Sequence, residues 1–236
     1  MKNILAKIYI HPFTYIVLFL ALITGLFKEL CVFLFIIIVH ELGHIIGGII
    51  YKWKIEKVVI MPFGGITIFH ELINRPMKEE FMILIMGPLF QFINYLIFKD
   101  MTPYFNYYNY GLFIFNFLPI YPLDGYKLWS IFLNKFIPFK KTMRIMLIIS
   151  MLSLTIFIKK DVIYLVILLL LFNGIISEFK NIDNIYNRFL LERHLFSFHF
   201  RKRKRINNVN NMYKDCLHII GNKTEKEVLN DKFKKH

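Results

Sequence analysis

Cysteine is almost absent from this chain: Cys31 and Cys216 are its only two. A disulfide framework and a cysteine-held zinc site are both excluded, so any metal has to be held by histidine and carboxylate. Charge is scarce as well. Only 19% of the 236 residues are charged, against 56% hydrophobic and 17% aromatic, and the mean hydropathy is +0.50. That mixture excludes an ordinary soluble globular protein. A small-x-small cleavage site is missing after Ala21 to Gly25, so the apolar run that follows Lys2 and Lys7 is expected to be a retained helix rather than a signal peptide.

Apolar stretches long enough to span a bilayer, about 17 to 25 residues each, are read at about 10–27, 30–50, 80–98, 107–133, 144–158 and 162–178. The expected fold class is therefore an α-helical polytopic membrane protein with about six transmembrane helices. Six crossings sort the basic residues unevenly. Of the 30 Lys and Arg, all but Lys28, Lys99, Lys159 and Lys160 fall on one side, and those four neighbour Glu29, Asp100 and Asp161. By the positive-inside rule both termini are cytoplasmic, and the formal charge of +14 is mainly a topology signal.

Within the second apolar run stands His40-Glu41-Leu42-Gly43-His44. Histidines four apart lie one above the other on a helix face, so both imidazoles can reach a single metal ion. Glu41 is turned about a third of a revolution away and can hold a water rather than the metal. Chance is a poor explanation here, because an idle carboxylate at mid-membrane costs about 2.5 to 3.5 kcal/mol on the translocon scale.

Two further segments belong with it. Val58-Val59-Ile60-Met61-Pro62 and Ile66-Thr67-Ile68-Phe69 flank Phe63-Gly64-Gly65, which predicts a β-hairpin over about 57–70. It is apolar enough to be embedded in the membrane beside the motif, and its edge could pair with an unwound substrate strand, making Phe63, Gly64, Gly65 and Ile66 candidates for substrate positioning. In the fourth run, Asn116-Phe117-Leu118-Pro119-Ile120-Tyr121-Pro122-Leu123-Asp124-Gly125 carries two prolines and a glycine, which must unwind the span and present Asp124 from a broken helix. At the helical rise, His40 and His44 lie about 15 and 21 Å from the poorly charged side and Asp124 about 20 Å. Two imidazoles and one carboxylate at one level leave a fourth tetrahedral position for water, the pattern of a catalytic zinc.

These residues together resemble the site-2 protease family of intramembrane zinc metalloproteases. The short form Asn116 to Gly125 followed by Tyr126-Lys127, and Arg188-Phe189-Leu190-Leu191-Glu192-Arg193 past the last run, resemble its sporulation branch. The resemblance implies six transmembrane segments, zinc held by His40, His44 and Asp124, Glu41 as general base and Asn116 positioning or polarising the scissile region. It also implies removal of the pro-segment of a membrane-associated sigma factor precursor, together with inhibitory membrane partner proteins at the membranes around the forespore. Cutting anti-sigma factors or signal-peptide remnants is the alternative within the family. A divalent-metal transporter is the alternative of another class, though Glu41 would be superfluous there.

The expected division is a six-helix core over 1–179 and a short basic cytoplasmic tail over 180–236. The 57 residues of that tail are few for the nucleotide-responsive CBS domain that the branch usually carries, and Asn207-Asn208-Val209-Asn210-Asn211 has little to bury. The run Arg201-Lys202-Arg203-Lys204-Arg205 is expected to meet anionic lipid rather than nucleic acid. His11, His70, His194, His199 and His218 show no ligand spacing with the motif.

Overall fold

The computed structural model describes residues 7–61, 64–157 and 162–233. It is mostly helical, and its chain gathers into two compact units, one of 1–71 and 81–116, the other of 72–80 and 117–236.

The first unit opens with a strand that the sequence did not announce, β1 (Ile8–Ile10), followed by α1 (Pro12–Thr24). Gly25, at φ +77°, turns the chain in a backbone region that a side chain would resist, and α2 (Phe27–Ile50) follows. The hairpin is β2 (Ile55–Met61) and β3 (Gly64–Phe69), antiparallel, with Val58 opposite Thr67 and Ile60 opposite Gly65. Gly64 and Gly65 thus belong to the strand rather than the turn, while Pro62 and Phe63 lie outside the described residues. β1 runs parallel to β2, so the sheet order is β1-β2-β3 with β3 at an edge. Then come α3 (Met77–Phe98), whose first turn clusters with the second unit, and α4 (Pro103–Phe117).

Among the described residues, α2 and α3 are the two helices long and apolar enough to cross a membrane. Leu96 and Ile97 on α3, and Ile38 and Leu42 on α2, stand exposed, where water would be a poor solvent for them. Ile36, Ile37, Phe105 and Leu112 form the buried centre between α2 and α4.

The longer stretch of the second unit begins at the interruption between α4 and α5 (Asp124–Asn134). The expected fourth span is thus two helices, as its prolines demand. Ser150 on α6 (Phe139–Ser153) satisfies the unwound backbone: its hydroxyl accepts from Tyr121 N–H at 2.9 Å and donates to the Pro119 carbonyl at 2.8 Å. One short side chain replaces the two helical partners that the break removes. Gly125 is required because a Cβ there would collide with the carbonyls of Phe117 and Leu118.

A 3-10 turn (Leu154–Phe157) follows, and α7 (Val162–Leu195) runs well beyond the expected end of the sixth apolar stretch. Residues 202–233 are folded: β4 (Lys202–Ile206) pairs parallel with β5 (Cys216–Ile220), β6 (Lys223–Thr224) pairs antiparallel with β5, and α8 (Glu225–Phe233) closes the layer. The basic run is therefore largely a strand. Met212 and Leu229 are fully buried against Phe189 and Leu190 of α7, which is the apolar surface that holds so short a segment in place.

A buried ionic knot locks this layer. The Arg193 guanidinium donates to Asn74 Oδ1 at 2.6 Å, to the Cys216 carbonyl at 2.8 Å, to the Tyr213 carbonyl at 3.0 Å and to Glu225 Oε1 at 2.9 Å. Burial alone would raise the Glu225 carboxyl, but its hydrogen bond with His218 and the charge of Arg193 outweigh burial and hold it below the ordinary glutamate range. A carboxyl depressed on folding contributes stability that is present above its unfolded pKa and lost as pH falls through the folded one. Protection factors at β5, which correct for the intrinsic slowing of exchange in acid, should therefore fall as pH drops below about 4.5, the ordinary glutamate value. Arg193→Met should open the layer at neutral pH by about 3 to 5 kcal/mol, since it strands Glu225. Protection at β5 unchanged in both experiments would show the knot to be energetically idle.

Candidate active site

His40, Glu41 and His44 are 2%, 5% and 4% exposed, all on the buried side of α2. Their close surroundings come from α3. Gly43 and Gly47 admit that helix, since a Cβ on Gly43 would meet the backbone of Met86 and Gly87 and one on Gly47 the Cα of Ile83. Pro88 lies within α3 between Ile83 and Gln91 and has no N–H to bond the Leu84 carbonyl.

The ring nitrogens are assigned by their partners. His44 Nδ1 lies 2.9 Å from the Ile83 carbonyl oxygen, which can only accept, so Nδ1 carries the hydrogen. His40 Nδ1 lies 2.9 Å from Gln91 Oε1. The two Nε2 atoms then carry no hydrogen, and they lie 3.1 Å apart. Two acceptors at that separation repel unless a cation lies against both, and imidazole nitrogens without hydrogen brought to one point are what a zinc ion takes. Gly87 borders the same point: a Cβ on it would touch Nε2 of both histidines. Donor set and space both fit the metal.

Glu41 packs against the hairpin. Thr67 Oγ1 donates to Glu41 Oε2 at 2.5 Å, and a Cβ on Gly65 would run into the Glu41 side chain. Gly65 and Thr67 alternate onto the α2 side of β3, which turns Gly64 and Ile66 to the other face. Asn116, near the end of α4, brings Nδ2 to 3.4 Å from His40 Nε2. Asp124 is the first residue of α5, in the second unit, with Lys127 Nζ 3.7 Å from its Oδ1. The α5 N-terminus favours a negative charge at that position.

Sequence reasoning missed Gln91, Thr67, Gly87 and the carbonyls of Ile83 and Asn109. Gln91 and Asn109 did carry a signal, being uncharged polar residues inside apolar runs, where a side chain of that kind has to find a partner.

Comparison with known proteins bears on this geometry. The model of Peptidase family M50 matches residues 28–99, the stretch that holds α2, the hairpin and α3. Stage IV sporulation protein FB of Bacillus subtilis (strain 168) is 34% identical over 209 residues, covering 81% of this chain and 73% of that protein. The chain belongs to the site-2 protease family, Peptidase family M50. A zinc metalloprotease of Methanocaldococcus jannaschii is 30% identical over 151 residues, 55% of this chain and 44% of that protein. The solved site-2 protease from Methanocaldococcus jannaschii superposes with a TM-score of 0.55 at 26% identity, covering 72% of this chain and 89% of that one. The protein is accordingly an intramembrane metalloprotease of the site-2 type, its metal is zinc, and the metal-transporter reading falls away.

Proposed function

We propose that this site-2 protease hydrolyses a peptide bond of a membrane-associated precursor near the cytoplasmic face, removing the pro-segment of a sporulation sigma factor. The observation that carries this reading is the 34% identity with a stage IV sporulation protein along 73% of its length. The motif Arg188 to Arg193 supports it. In this reading six helices cross the membrane, both termini are cytoplasmic, and inhibitory membrane proteins act on the enzyme.

His40, His44 and Asp124 hold zinc, which when bound polarises the scissile carbonyl and acidifies water. Glu41 takes the proton of the attacking water and delivers it to the leaving amine. Thr67 supports this by holding the Glu41 carboxylate through Oε2. Asn116 directs its amide N–H groups at the scissile region. The edge of β3, at Gly64 to Ile66, receives the unwound substrate as an added strand; Phe63, outside the described residues, is proposed for substrate positioning with them.

The test is a pair of reporters expressed with the enzyme. One carries a membrane-associated pro-segment joined to a soluble cytoplasmic domain; the other holds the same segment wholly on the external side. The first should be shortened and its domain should leave the membrane fraction, while the second stays intact. Cleavage of the external reporter alone would overturn the orientation and the sigma-factor reading with it.

A further inference from the structure

We propose that Gln91 is a positioning residue for zinc: it locks His40 in the one tautomer that can bind the ion. The inference rests on the zinc reading of the histidine pair and adds a residue to it.

Gln91 is fully buried on α3, and its amide can be oriented without ambiguity. The backbone carbonyl of Asn109 lies 2.9 Å from Gln91 Nε2. A carbonyl can only accept, so the NH2 end must face Asn109. The oxygen end then faces His40 Nδ1 at 2.9 Å, and this oxygen also can only accept. His40 therefore has its hydrogen on Nδ1, and Nε2, on the side of His44, carries none. The opposite tautomer would set two acceptors together at Nδ1, deep in an apolar interior where neither can turn to water, and would place an N–H where the metal belongs.

The two histidines are thus fixed by different means. His44 is set by a backbone carbonyl, that of Ile83, which no substitution removes. His40 is set by a side chain. Gln91 is in turn held by a backbone carbonyl of α4, the helix that also bears Asn116. A neutral amide also suits the location, because it accepts from His40 and donates to Asn109 without bringing a charge into an apolar span.

The experiment uses the full chain purified in detergent. Zinc affinity is measured by chelator competition, and the metal's surroundings by the visible absorption of the cobalt-loaded protein. Gln91→Leu should weaken zinc binding by about 10- to 100-fold, the range that loss of such a supporting partner causes, and should shift and weaken the cobalt bands. Gln91→Glu keeps an acceptor oxygen for the His40 Nδ1 hydrogen, and should bind zinc more tightly than Gln91→Leu does. Asn94→Leu serves as the packing control. Asn94 is buried on the same helix and its Nδ2 has no hydrogen-bond partner, so zinc affinity should hold.

Wild-type affinity and spectrum in Gln91→Leu would overturn the proposal. So would equal losses in Gln91→Leu and Gln91→Glu, or in Gln91→Leu and Asn94→Leu, since either result would make Gln91 a packing residue. Failure of the unmodified chain to bind zinc would instead remove the metal reading itself.

Discussion

Glu41→Gln is expected to retain a full complement of zinc and to lose cleavage by about 10²- to 10⁴-fold, the range supplied by a positioned acid–base group. The substitution is nearly isosteric. The amide oxygen of Gln can still accept the Thr67 hydroxyl that now donates to Glu41 Oε2, and the space beneath Gly65 is unchanged. What disappears is the capacity to take a proton. Asp124→Ala should behave differently, lowering zinc content and activity together, because it withdraws one of three proposed ligands. Metal stoichiometry and single-turnover cleavage of the reporter separate the two variants. Substantial cleavage by Glu41→Gln would sink the assignment of the base.

Gly87→Ala is expected to remove zinc almost completely, with affinity falling by about 100-fold or more, at the upper end of what disturbing a ligand's support produces. In a helix interior the same change normally stabilises by about 0.5 to 1 kcal/mol, since alanine restricts the unfolded chain. At this position the added methyl would sit against Nε2 of both His40 and His44. A gain in helix propensity would thus accompany loss of the site. Gly111→Ala on α4 is the control, for nothing lies within 4 Å of the Cβ it would acquire, and its zinc content should equal that of the wild type. Full zinc binding by Gly87→Ala would show that the ion lies elsewhere than against the histidine pair.

Several parts of this protein could be read from its order of residues. His40 and His44 are related by the helical repeat, so their shared face follows from spacing alone, with Glu41 turned about a third of a revolution from it. The β-favouring runs on either side of Phe63-Gly64-Gly65 announced two paired strands, and Pro119 and Pro122 forced an interruption in a helix wherever the rest of the chain lay. Each of these depends on neighbours within about ten residues.

Tertiary structure decided the remainder. His40 meets Gln91 across 51 positions, His44 meets the Ile83 carbonyl across 39, and Glu41 meets Thr67 across 26. The strand β1 exists because β2 offers it an edge, and the residues from 202 onward fold because Phe189, Leu190 and Arg193 of α7 give Met212, Leu229 and Glu225 a place to be buried. None of these pairings has a local period. A buried donor or acceptor requires some partner, but which one it finds depends on how the helices pack, and a single side chain such as Gln91 shows only that a partner must exist.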